Sequence, residues 1–70
     1  MKFKSGDYVI INNSLLEIKG EKMRGQIDKF VGKNSYKKLM YNVKLGKYTT
    51  VCLFEEELIF DNVKNNIKLI

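Results

Sequence analysis

The side chains in this sequence with chemistry to offer are chiefly cations. Lys19, Lys22 and Arg24 fall within one short stretch, Lys33, Lys37 and Lys38 surround Tyr36, and Lys44 and Lys47 flank Gly46. Ammonium and guanidinium groups grouped in this way neutralise phosphates, and a tyrosine among them offers a ring face for base stacking. The competing explanation is that dispersed lysines only keep a small domain soluble. Charge is unevenly spread: eleven of the 13 Lys/Arg lie in residues 1–54 against Asp7, Glu17, Glu21 and Asp28, while residues 55–70 carry two lysines against four acids. The formal net charge of +5 therefore sits in the front of the chain.

Catalytic chemistry finds little support. There is no histidine and a single cysteine, Cys52, which excludes disulfide frameworks, zinc ribbons and Cys/His pairs within one chain and points to reducing surroundings. Glu55, Glu56 and Glu57 are consecutive, so their carboxylates cannot all converge; a solvated turn is expected, with one carboxylate capping a backbone group. Ser5, Ser14 and Ser35 have no base to activate them. Cys52 is expected as a small core or half-buried residue. Gly32-Lys33-Asn34 departs from the Gly-Lys-Ser/Thr of a phosphate loop, so Gly20, Gly25 and Gly32 are read as backbone turns. A small anionic nucleotide held between copies by Lys and Arg is a lesser alternative. No cofactor or metal is expected, and the reading is of a non-enzymatic module.

The elements that must position these cations follow from pattern. Seventy residues with 44% apolar content leave room for one domain, whose core is thin because so short a chain buries only ~60% of its unfolded surface. Gly6-Asp7 ahead of Tyr8-Val9-Ile10-Ile11 announces a first strand, with Val9 and Ile11 inward and Tyr8 and Ile10 outward. Residues 12–24 read as a long structured loop plugged by Leu15, Leu16 or Ile18. Gly25 opens a second strand through Ile27 and Phe30, kept on one face by a single bulge, with Gly32 to Ser35 as the next turn. Leu39, Tyr41, Val43 and Leu45 alternate inward, and Gly46-Lys47 predicts a two-residue turn onto a returning strand with Thr49, Val51 and Leu53 on one face. Ile59-Phe60 reads as a brief closing strand, and the tail as an added strand, with a helix through Glu55 to Val63 the alternative.

These short strands predict an all-β fold, a small five-stranded barrel over residues 1–60, with residues 61–70 as an extension packing on the barrel or on another subunit. Tyr8, Ile10 and Met40 on the outer face, with Ile67, Leu69 and Ile70, are the candidate protein-interface residues; the alternative is that loop and tail cover them within the chain. No signal or membrane-spanning run is present, so a cytoplasmic protein with no membrane partner is expected. Lys, Asn, Ile, Tyr and Phe, all with A/T-rich codons, make up nearly half the chain, which suits a low-GC bacterium, its phage or a mobile element.

Gly6-Asp7-Tyr8-Val9, then Gly25-Gln26-Ile27 with Phe30, then Tyr41 to Gly46, then Leu53 through Leu58, resembles the small bacterial and phage SH3-like barrels, including the KOW type of ribosomal and transcription proteins. The resemblance covers most of residues 3–60 and implies a barrel capped by Leu58 after a one-turn helix. Lys19-Gly20 stands four residues from Gly25, farther than a KOW loop usually places it. The absence of tryptophan and of the Ala-Leu-Tyr-Asp-Tyr motif argues against recognition of proline-rich peptides. Nucleic acid is the leading expected partner, through Lys19, Lys22, Arg24, Lys33, Tyr36, Lys37, Lys38 and Lys47; an oligomeric protein-interaction module, an accessory or inhibitory factor, is the alternative.

Overall fold

The computed structural model describes residues 2–68, Lys68 through its backbone alone. Strand β1, Tyr8–Ile11, follows a turn in which Gly6 takes φ +92° and donates its N–H to the Ile27 carbonyl at 2.9 Å. Val9 and Ile11 are fully buried and Tyr8 and Ile10 half-buried, the alternation a β-branched run gives on a pleated strand. In the loop that follows, the Asn13 side chain accepts from the Leu15 N–H at 2.9 Å and starts a 3-10 turn, Ser14–Leu16. Ile18 and Glu21 then exchange both backbone bonds, at 3.0 and 2.9 Å, across Lys19 and Gly20, whose φ values of +53° and +78° make a primed two-residue hairpin. Leu16 packs against the core, while Leu15 and Ile18 are exposed.

Strand β2 runs from Arg24 to Lys33 and pairs with both β1 and β3. Gly25 is required at its start: a Cβ there would lie 2.7 Å from the Lys44 carbonyl oxygen and from Val43 Cγ1. The strand carries two register shifts, at Ile27/Lys29 and Phe30/Gly32, where the sequence predicts one. Asp28 and Val31 are the extra residues, so Ile27 and Phe30 both keep to the core side. Gly32 and Lys33 still pair, with Met40 and Leu39. The turn thus falls later, at Asn34–Lys38, where the Asn34 side chain accepts from the Tyr36 and Lys38 N–H groups.

Strands β3, Leu39–Lys44, and β4, Thr50–Phe54, pair Tyr41 with Leu53, Val43 with Val51 and Lys44 with Thr50. The Leu45 N–H donates to Thr49, leaving Gly46 to Tyr48 as a three-residue connection rather than the expected two-residue turn. Inward residues are odd-numbered in both strands. A two-residue turn would set odd against even and put core residues opposite solvent-facing ones. Cys52, on the even side, is exposed rather than half-buried.

A 3-10 turn at Glu55–Glu57, as expected, leads into β5, Leu58–Phe60, which returns to pair with β1. All pairings are antiparallel, and the sheet order β4-β3-β2-β1-β5 makes one open sheet. Its core is Phe3, Val9, Ile11, Ile27, Tyr41, Val43, Leu53 and Leu58, with Phe3 and Phe30 set edge-on to the Tyr41 ring at 5.6 and 5.4 Å. Every strand contributes to this one cluster. The predicted C-terminal strand is instead a helix, α1, Asn62–Lys68. Asp61 caps it, accepting from the Lys64 N–H at 3.1 Å. Asn65 docks it: its amide donates to the Tyr8 and Asp61 carbonyls at 2.8 Å and accepts from the Tyr8 N–H at 2.9 Å. Leu69 and Ile70 lie outside the described residues.

Candidate nucleic-acid interface

The strand register composes a polar row on the outer face of the sheet. Tyr8 pairs with Gln26, Gln26 with Lys44 and Lys44 with Thr50, so four side chains line up across four strands, at a spacing of ~4.8 Å per strand. Lys64, from α1, places its Nζ 4.6 Å from the centre of the Tyr8 ring. Arg24 lies one step along β2, opposite Ile10.

Two cavities meet at the Arg24 end of this row, one along it and one beneath the β1–β2 loop. One, of about 240 Å³, is lined by Tyr8, Arg24, Gly25, Gln26, Lys44, Leu45, Gly46 and Lys64. The other, of about 460 Å³, is lined by Ile18, Lys19, Glu21, Lys22, Met23, Arg24 and Leu45. Arg24 and Leu45 belong to both. Sequence reasoning identified Lys19, Lys22 and Arg24 but missed Lys64 and Gln26 as neighbours. It named Tyr8 for a protein interface; the ring lies 4.6 Å from Lys64 Nζ and lines the same cavity as Arg24 and Lys44. The missed residues meet through the register and through α1, neither of which local composition encodes.

The cations differ in how they are held. Lys22 Nζ lies 3.0 Å from Asn12 Oδ1 and 3.4 Å from Glu17 Oε2, and Lys44 Nζ lies 3.7 Å from Asp28 Oδ1. Both are surface pairs worth ~0–1 kcal/mol, which a phosphate displaces at little cost. Arg24 is different. Its Nη1 lies 3.5 Å from Asp61 Oδ2, and the Arg24 side chain is 64% exposed while that of Asp61 is 3% exposed. Asp61 Oδ2 accepts no hydrogen bond among the described residues, so Arg24 is the cation that compensates a buried carboxylate.

The second expected group stands elsewhere. Lys33 closes β2, at the end opposite Arg24, and Tyr36 and Lys37 ride the Asn34–Lys38 turn with the Tyr36 ring 81% exposed. Lys38 is engaged by Glu56 at 2.7 Å and lies over the Phe54 ring. Arg24 and Lys33 are the two ends of a ten-residue strand, up to roughly 30 Å apart at ~3.3 Å per residue. The fold therefore does not gather all the expected cations into one patch. Lys47, in the β3–β4 connection, lies over the exposed Tyr48 ring.

Among the expected protein-interface residues, Tyr8, Ile10 and Met40 are half-buried and Ile67 is exposed. Exposed apolar residues also include Ile59 and Phe60 on β5 and Val63 on α1.

The acidic run has structural work. The Tyr41 hydroxyl donates to Glu55 and accepts from the Lys2 and Phe3 N–H groups, and Glu55 also accepts from Lys2. Burial first, and then the Glu55 contact, pushes the Tyr41 phenol above its usual value. Tyr41, the largest cause, holds the Glu55 carboxyl below its usual range against the opposing effect of burial. Glu57 accepts from the Phe54 N–H and from Asn13, tying the 3-10 turn to the β1–β2 loop. Among the described residues no group of three or more His, Cys, Asp or Glu is placed to hold a metal, and no helix is long and apolar enough to cross a membrane. Comparison with family models, with curated proteins and with solved structures returned no match.

Proposed function

We propose that this chain is a non-enzymatic binding module that holds the phosphate backbone of a nucleic acid along the outer face of its sheet. The carrying observation is that Lys19, Lys22, Arg24, Lys44 and Lys64, from four segments of the chain, line two adjoining cavities. The Arg24 guanidinium, at their junction, presents a planar fork that matches phosphate oxygens, and the lysines act around it as point charges. The strand order and the 3-10 turn before β5 fit a small SH3-like barrel, and the resemblance to barrels of ribosomal and transcription proteins supports a cytoplasmic, nucleic-acid role.

Five phosphate contacts set the expected salt response. The slope of log affinity against log salt should be about −3.5 for a single strand and −4.5 for a duplex. Titration of labelled oligonucleotides at several salt concentrations checks this. Absence of binding at low salt, or affinity indifferent to salt, contradicts the proposal.

A second reading, self-association or capture of a protein target, is favoured by Ile59 and Phe60 on the edge strand β5 and by Val63 and Ile67 on α1, all exposed. Light scattering on the same samples separates the two: a monomer at all concentrations removes self-association.

A further inference from the structure

We infer that the larger cavity takes an unpaired base, so that the chain prefers single-stranded nucleic acid to duplex. This rests on the nucleic-acid reading and narrows it. The cavity, at about 460 Å³, falls in the ~300–1,000 Å³ range of small-molecule sites. Ile18, Met23 and Leu45 give it an apolar lining, and Lys19, Lys22 and Arg24 supply the cations. A phosphate uses only the cations. Three aliphatic side chains gain nothing from an anion but are relieved of water when the flat face of a base covers them. A duplex keeps its bases stacked on one another, whereas a single strand has them to give.

Glu21 sharpens the choice of ligand. It lines the same cavity as the three cations, where a carboxylate repels a second anion but accepts a hydrogen bond from the exocyclic amino group of a base. An acidic peptide brings carboxylates to that position, and a nucleotide strand brings donors there with its phosphates set apart. The cations continue past Arg24 to Lys44 and Lys64 in the adjoining cavity, so one strand finds phosphate partners on both sides of the junction. The wall is preformed, because Ile18 and Glu21 are locked together by both of their backbone hydrogen bonds.

The test is fluorescence anisotropy on the full chain at one low salt concentration, with a single-stranded oligonucleotide, its duplex, the same strand carrying abasic sites, and an acidic peptide. The single strand is expected to bind tightest, with the abasic strand about tenfold weaker, the loss of one stacked base. Ile18→Ala, at a side chain 60% exposed and so without consequence for folding, should shrink the gap between intact and abasic strands and leave the salt slope unchanged. Equal affinity for single strand, duplex and abasic strand overturns this inference and leaves phosphate binding standing. Binding of no oligonucleotide, or of the peptide in preference to all of them, overturns both.

Discussion

Arg24 and Asp61 couple the candidate interface to the stability of the fold. Removing Arg24 leaves the buried Asp61 carboxylate without its counter-ion, so Arg24→Gln should cost about 1–3 kcal/mol, less than for a fully buried pair because Arg24 is itself well solvated. Asparagine at position 61 still caps a helix and carries no charge. Adding Asp61→Asn to Arg24→Gln should therefore return most of the loss, read from urea midpoints of the four proteins in the cycle. Simple additivity would show that the pair does not act as a unit. The Tyr41–Glu55 contact makes a second prediction. Glu55 has a lowered folded pKa, so its contribution is present above the ordinary carboxylate range and is lost as pH falls through the folded value. Tyr41 has a raised folded pKa, so its contribution is present below the ordinary phenol value of 10.0 and is lost as pH rises through the folded one. Stability should fall at both ends of the pH range, and Tyr41→Phe should flatten both arms. Unchanged arms in that variant would take the contact out of the account.

Helix α1 is the element most dependent on its docking. Seven residues are too few for a helix to persist alone in water, and Asn65 is its one buried residue among those whose burial is described. Asn65→Ala removes three hydrogen bonds, so it should cost about 1–3 kcal/mol and raise amide hydrogen exchange across Asn62–Lys68 while β2 to β4 keep their protection. Exchange in α1 as slow as in the intact protein would show that something else holds it. The sequence marks α1 poorly because its anchor is an asparagine bonded to strand backbone, while its aliphatic residues, Val63 and Ile67, face solvent. Strand existence was far more legible: the alternation of β1 and β3 placed Val9, Ile11, Tyr41 and Val43 inward, as they are, while in β4 both faces read as apolar and which one faces the core, that of Leu53, was left open. The hairpin connection was misjudged from Gly46 alone; only the burial of Leu53, which sets the odd-numbered face of β4 inward like that of β3, requires an odd loop. The second bulge in β2 has no comparable local sign, since Val31 exposed and Val31 inward read alike in sequence.

Taken whole, the molecule separates its charge by topology. The cations expected in one patch divide between the two ends of β2: two cavities that share Arg24 gather Lys19, Lys22, Lys44 and Lys64 at one end, and a cavity of about 280 Å³ lies at the other between Lys37, Lys38, Phe54 and the acidic Glu55 and Glu56. About half of the candidate site was therefore visible in the sequence, namely Lys19, Lys22 and Arg24 in one stretch. Lys44 was also read as a cation of this group, but it joins the others, with Gln26, Tyr8 and Lys64, only through strand register and a helix that folds back on β1. The site of contact is open to direct mapping: amide chemical shifts of the labelled chain, followed as a short single-stranded oligonucleotide is added at low salt. The largest shifts are expected at Tyr8, Ile18 to Gln26, Lys44 to Gly46 and Lys64, reversed by added salt. Shifts confined to Asn34–Lys38, or to Ile59, Phe60, Val63 and Ile67, would contradict that placement.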